Sequence, residues 1–398
     1  MTVAPESSSV KKALSAHAAV GLLAGMLLYI VSITGTVVVF YEELQRIEQP
    51  DAPEMARIDP QAVQRGVEAV LASEVGKPPT THLYVHLPVD ALPRATVTTD
   101  TQAVHLDASG GIAAREESAW SEFLVELHYL LNIPGVIGIT IVGVLGVMML
   151  LLALSGVISH PRIFRDAFRL RSSDKTGLGL ADWHNRLSVW TLPFTLAIAF
   201  TGAMIGVGTV TGYGVAQVAY KGDFLAVFAP IFGPEGKIDK AKAPAPAVAT
   251  ALEYMEAHYP GLRLTYATVH DPLTAGQHIN ILGTPKRRLV YGETYSFDAR
   301  GRFQGTLGIA DGPIGRQASA STYNLHFGNF GGVPVKVAYF VFGLVLTAIC
   351  ATGTYIWLGK RRRRGIDEPR LRAMWDAVIW GTPLILAVTF ILRTQIED

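Results

Sequence analysis

Cysteine is almost missing: Cys350 stands alone among 398 residues. That excludes an intramolecular disulfide, a cysteine-built zinc site, a four-cysteine iron–sulfur cluster and thioether-attached haem, each of which needs more thiolates. Charge is scarce as well, at 17% of residues, against about 25% in an ordinary soluble domain. The deficit points to a membrane. Neither sign of charge dominates, since 34 basic and 33 acidic residues leave a net charge of +1, so the chain offers no electrostatic footprint for nucleic acid. No strand, Gly-x-Gly-x-x-Gly, helix fingerprint for a flavin or nicotinamide is present. Metal chemistry here must rest on histidine or carboxylate, and there are 11 histidines.

Long apolar runs are abundant. A spanning helix needs about 20 mostly apolar residues, and five stretches meet or approach that: Ala13 to Phe40, Tyr129 to Ser159, Leu187 to Ala219, Val337 to Leu358 and a weaker Ala377 to Leu392. The first is too long for a signal-peptide core and shows no small-residue cleavage site, so it reads as a retained anchor. The fifth is short, carries Pro383 and follows Asp376, so crossing and lying in the interface both stay open. Basic residues cluster at Lys11 and Lys12, at Arg162, Arg165, Arg169, Arg171 and Lys175, and at Lys360 to Arg364. The positive-inside rule puts all three clusters in the cytoplasm. The expected order is a cytoplasmic N-terminus (1–12), span one (13–41), an outer segment (42–127), span two (128–160), a cytoplasmic loop (161–186), span three (187–212), a second outer segment (213–325), span four (326–359), a basic loop (360–373) and span five (374–392). In a bacterium the outer segments would be periplasmic.

Spans one to four each carry a Ser/Thr-Gly pair: Thr34-Gly35, Ser155-Gly156, Thr201-Gly202 and Thr352-Gly353. Histidines keep register with them. His17 and His184 each precede their threonine by 17 residues, while His128 precedes Ser155 by 27 and His326 precedes Thr352 by 26. This predicts a membrane α-helical fold whose four-helix core is a tandem parallel repeat about an axis along the membrane normal, with a weaker fifth helix. Between the spans, Asp107 to Gly110 and Asp298 to Gly301 read as hairpin turns. They are flanked by strand-like runs at Ala95 to Leu106 and Ile112 to Ala114, and at Arg288 to Phe297 and Arg302 to Gly305. Gln61 to Val75 and Ala247 to Tyr259 have helical periodicity. Each outer segment is thus expected to be a small α+β module.

Under the repeat, His17 pairs with His184 on the cytoplasmic side and His128 with His326 on the outer side. Two symmetry-related imidazoles facing one axis suit the axial ligands of a haem iron, and the lack of Cys-x-x-Cys-His leaves haem b. Ionisable residues in or beside spans are costly and usually functional. Gly21 and Gly25, on one helix face with His17, and Gly328, Gly331 and Gly332 after His326 are expected to leave room for a flat macrocycle. His160 lacks a repeat partner, Trp357 standing at its equivalent. It reads as a propionate contact, a proton relay, a cap, or the inner ligand in place of His17 or His184. His82, His86, His105, His258, His270 and His278 read as surface or packing residues.

These residues carry a resemblance. His17 with Gly21 and Thr34-Gly35, Leu127 to Leu131 around His128, Ser155 to Arg171 through His160, Asp182 to Phe194 around His184, and Leu325 to Gly331 around His326 together resemble the PepSY-associated transmembrane-helix family. The resemblance covers spans one to four and makes the two outer modules PepSY-like. It implies two b haems and electron transfer in a bacterial inner membrane, from an unidentified cytoplasmic or quinol donor to a periplasmic acceptor such as a ferric siderophore. Its implied class is a ferric-siderophore-reductase-like oxidoreductase. Two other readings compete: a non-redox PepSY protein that binds peptides or regulates a protease, and a metal or proton transporter, against which stands the scarcity of carboxylates within the spans. Lys286, Arg287, Arg288 and Arg316 are candidates for attracting an anionic chelate, although such a run is usually a solvated face.

Overall fold

The computed structural model describes residues 8–160, 162–166, 179–232, 239–285 and 288–395. Arg169, Arg171, Lys175, Lys286 and Arg287 lie outside them. In chain order the elements begin with α1 (Ser8–Val38), α2 (Tyr41–Glu48), α3 (Pro60–Ser73), β1 (His82–His86), β2 (Ala95–Thr98), β3 (Ala103–Leu106) and β4 (Ile112–Arg115). Next come α4 (Ala119–Leu130), α5 (Val136–Ser159), α6 (Ile163–Asp166), α7 (Gly179–Trp190), α8 (Leu192–Ala219), α9 (Phe224–Phe232) and α10 (Val248–His258). The chain continues through β5 (Arg263–His270), β6 (His278–Thr284), β7 (Glu293–Asp298), β8 (Phe303–Thr306), α11 (Ile314–Phe327), α12 (Val333–Arg363) and α13 (Pro369–Gln395). They form two compact units, a helical one and a sheet one, the latter built from Glu42–Ala119 and Gly212–Asn324.

In the helical unit, α1, α5, α8, α12 and α13 are long and apolar enough to cross a membrane. Small residues let two of them touch backbone to backbone: a Cβ on Gly143 of α5 would stand 2.6 Å from Val207 N of α8, and one on Gly146 would stand 2.8 Å from Ala203 N. The weak fifth run is a full 27-residue helix, α13, with Pro383 inside it. Proline removes the N–H that would bond the carbonyl four residues earlier, here Ile379. The Tyr29 hydroxyl of α1 donates to that carbonyl at 2.7 Å, and Trp375 Nε1 donates to Ala351 O of α12 at 3.1 Å. The freed acceptor is thereby used to dock the helix.

Residues 128–160 do not form one helix. Leu131 and Asn132 have φ of 53° and Gly135 has 75°, so α4 stops at Leu130 and α5 starts afresh at Val136. Gly328, Gly331 and Gly332, with φ of 70°, 74° and 65°, separate α11 from α12 in the same way. Glycine makes this left-handed turn without a steric penalty. Gly25 lies against neighbouring helices, where a Cβ would meet Thr354 Oγ1 and Trp375 at 3.4 and 3.8 Å.

The two expected α+β modules are one body. Among the described residues, the strands form a single antiparallel sheet in the order β4-β3-β2-β1-β5-β6-β7-β8, with β1 and β5 paired from His82↔His270 to His86↔Tyr266. Had the modules stayed separate, each of these strands would expose a row of unpaired backbone groups. The amphipathic α3 and α10 share one face, where Val63, Val67, Leu83, Val85, Met255, Ile279, Ile281 and Phe297 form the core. Asp59 starts α3 by accepting from Gln61 N at 2.9 Å, ahead of Pro60 in the first turn. The run Ala95 to Leu106 is a hairpin, β2 and β3, because Thr99 N donates to Gln102 O at 2.8 Å. Both Asp-x-x-Gly turns form as expected: Asp107 Oδ1 accepts from Ser109 N and Gly111 N, and Asp298 Oδ1 accepts from Arg300 N and Arg302 N.

His105 of β3 is buried in this unit. Its Nε2–H donates to Gln49 Oε1 at 3.0 Å, so its Nδ1 accepts from the Thr96 hydroxyl at 2.9 Å. Burial, and then the Arg94 charge, push its pKa down to about 4. The unfolded chain therefore binds a proton that the folded one does not between about pH 6.5 and 4, and stability falls as pH falls through that window. Acid titration of the protein should show this loss, and His105→Gln should flatten the slope there; an unchanged slope would remove His105 as its source.

Candidate functional site: two facing histidine pairs

Four histidines are brought together as two pairs within the helical unit. His17 of α1 faces His184 of α7 with ring centres 6.4 Å apart and planes at 88°. His128, at the end of α4, faces His326, at the end of α11, at 6.2 Å and 26°. The breaks after α4 and α11 matter here, since each stops its helix just after the histidine. Tyr339 of α12 secures the second break by donating to Leu325 O at 2.6 Å.

Every ring is held through the same atom. His17 Nδ1–H donates to Leu152 O at 3.0 Å, with Ser155 Oγ at 3.1 Å, and His128 Nδ1–H donates to Val31 O at 2.9 Å. His184 Nδ1 lies 2.9 Å from Thr352 Oγ1, and His326 Nδ1 lies 2.9 Å from Thr201 Oγ1. Both threonine hydroxyls donate to their own helices, Thr352 to Ala348 O and Thr201 to Ala197 O, so each accepts from its imidazole. All four rings are thus Nδ1–H tautomers with the Nε2 lone pair uncommitted among the described residues. Ligating histidines are oriented in this manner, donating the second nitrogen to a carbonyl or similar acceptor.

Three of the Ser/Thr-Gly pairs contribute a hydroxyl acceptor, Ser155, Thr201 and Thr352, and the glycines of all four supply room. A Cβ on Gly35 would stand 2.5 Å from His128 Cε1, on Gly202 3.0 Å from His326 Cε1, on Gly156 3.4 Å from His17 Cε1 and on Gly353 3.6 Å from His184 Cε1. Sequence spacing registers the pairs against the histidines but does not reveal this contact, because the facing residues are remote in the chain. About 27 Å of α1, at 1.5 Å per residue, separates His17 from Gly35.

A metal midway between two ring centres about 6 Å apart has room for two bonds of about 2 Å to ring nitrogens. Among the described residues no three His, Cys, Asp or Glu side chains gather at one point, so such a metal must bring its remaining ligands with it. His160 follows α5 and its Nε2 accepts from Asn185 Nδ2 at 3.3 Å. Arg186, one turn along α7 from Asp182 at 3.6 Å, is also buried. In the sheet unit, Arg288 pairs with Asp311 at 2.7 Å and Arg316 donates to Leu307 O at 2.8 Å, so both are engaged locally.

Among the described residues, five apolar helices with an antiparallel α+β sheet unit define a multi-pass membrane protein, with the lipid bilayer as partner. More narrowly, the chain belongs to the PepSY-associated TM family, whose "PepSY-associated TM region" matches residues 14–360. An uncharacterized protein of Pseudomonas aeruginosa is 28% identical over 284 residues, 64% of this chain and 66% of the relative. The chain thus covers just under two thirds of that relative's length.

Proposed function

We propose that the chain is a di-haem b protein of a bacterial inner membrane that carries electrons to a periplasmic acceptor, a ferric siderophore. The observation that carries this reading is the pair of facing imidazoles, twice, each with Nδ1 anchored and Nε2 uncommitted. His17 and His184 hold the inner haem and His128 and His326 the outer one, within a parallel repeat. When bound, each haem supplies a reversible one-electron Fe(III)/Fe(II) couple. The protein's own part is to fix the ring planes through Leu152, Val31, Thr352 and Thr201, and to seal the space between the sites with Leu28, Leu145, Met149 and Leu346. Two sites subdivide a hydrocarbon core about 30 Å thick, too far for one fast tunnelling step. Lys11 and Lys12 in the first turns of α1, and Lys360 to Arg363 at the end of α12, support an inside assignment for those ends. Reduction of a bound ferric ion to ferrous weakens its hold on hard oxygen ligands and frees it.

Pyridine haemochrome assay of the purified protein should give two haem b per chain. One would keep a single pair, and none would leave the non-redox reading, a peptide-binding or protease-regulating PepSY protein. His160→Ala should retain both haems, because its Nε2 is already bonded to Asn185. Loss of the inner haem in that variant, with retention in His17→Ala or His184→Ala, would make His160 the ligand.

A further inference from the structure

One face of the sheet is covered by α3 and α10, and the opposite face carries a row of imidazoles that electron transfer does not use. The register sets His82 of β1 opposite His270 of β5, and His270 opposite His278 of β6. Their neighbours Leu83, Val269 and Ile279 are wholly buried in the core beneath the helices, so strand alternation turns all three histidines the other way. The rings are in contact. His270 and His278 stack with centres 4.3 Å apart and planes at 5°, and His82 meets His270 edge-on at 4.9 Å. On the same face, Asn280 Nδ2 donates to His270 Nε2 at 3.1 Å, while Asn280 Oδ1 is buried with no hydrogen-bond partner among the described residues.

Imidazoles aligned on adjacent strands cannot all be cations, since like charges directly opposite repel. The Asn280 amide, which can only donate from Nδ2, marks His270 Nε2 as an unprotonated acceptor. Asp298 lies opposite His278 on β7 but is held by its own turn and by Arg302 Nε, so it supplies negative charge without being a free ligand.

We propose that His82, His270 and His278 form a binding site for one divalent first-row transition-metal ion of the imidazole-preferring class, which includes Fe²⁺, Ni²⁺, Cu²⁺ and Zn²⁺. Two nitrogens on one such ion stand about 3 Å apart when each bond is about 2 Å, and rings stacked at 4.3 Å reach that spacing by tilting toward each other. The rings are stacked and not yet converged, in keeping with the absence of any three-donor cluster among the described residues. Binding through Nε2 of His270 parts it from Asn280, and through Nδ1 it lets a turned Asn280 present Oδ1 to the opposite N–H, an orienting bond of the kind ligating histidines make. The site does not depend on haem, although a reductase of ferric chelates would release a ferrous ion of the class it takes.

The test is calorimetric titration of the untagged, chelator-treated full chain in detergent with Ni²⁺, accompanied by Cu²⁺ electron paramagnetic resonance for nitrogen splitting. The expected result is one ion per chain with nitrogen ligands, weakened at least tenfold in His270→Gln and in His278→Phe, which keeps a ring in the stack. His258→Gln, on α10, should bind as wild type, and haem content should be equal in all. Wild-type affinity in His278→Phe, or no saturable binding by the wild-type chain, overturns the proposal. Ni²⁺ binding by a chain found to hold no haem would retain this site and remove the electron-transfer reading alone.

Discussion

Gly35→Ala should remove the haem proposed for the His128 and His326 pair while leaving both imidazoles in the sequence. The added Cβ would stand 2.5 Å from His128 Cε1 and 2.9 Å from Nδ1, closer than real contacts allow, so the imidazole must swing away and abandon its 2.9 Å bond to Val31 O. Loss of such an orienting bond alone costs about 10–100-fold in metal affinity, and here the ring itself is displaced. The same change at Gly202 places the Cβ 3.0 Å from His326 and should have a smaller effect. At Gly156 and Gly353 the distances are 3.4 and 3.6 Å, and alanine there should keep the inner haem. Haemochrome ratios with redox titration of the four variants would reveal this gradient. Full occupancy of both sites in Gly35→Ala would show that His128 does not ligate.

The other large effect is on electron delivery. Right-side-out vesicles containing the wild-type chain and an internal reductant should reduce an added, impermeant ferric chelate. His128→Ala and His326→Ala should each abolish most of that rate, because each would remove one of the two imidazoles proposed to hold the outer haem. The inner haem should still be reduced from within. If reduced wild-type protein ignores every ferric chelate yet is rapidly reoxidised by a quinone, the siderophore assignment is lost and a general electron conduit remains.

The sequence is most legible where physics acts locally. Apolar runs reported the five long helices, Asp107 and Asp298 reported their turns, and the histidine spacing picked out the four rings that meet. It is least legible where a partner is remote. Nothing near Pro383 says that Tyr29 will fill the carbonyl it frees, so α13 reads as weaker than it is. Asn132, Pro134 and Gly135 are a turn signal that the length of the apolar run masks, and the left-handed backbone at Leu131, Asn132 and Gly135 separates α4 from α5. The merger of two similar modules is hidden because β1 and β5 each look complete with one partner. His82, His270 and His278 read singly as surface residues, since only the register across three strands makes them neighbours.

The pairing of β1 with β5 also orders events during synthesis. When residues 82–86 leave the ribosome, their partner at 263–270 has not been made, and α5 and α8 must be made before it can be. Until then the first half waits with one flank of β1 unsatisfied, a state prone to pairing with the wrong chain. Closure of the sheet therefore reports that α5 and α8 have been made. A chain stalled between them is left with an adhesive strand, the kind of fault that quality-control proteases and chaperones can detect.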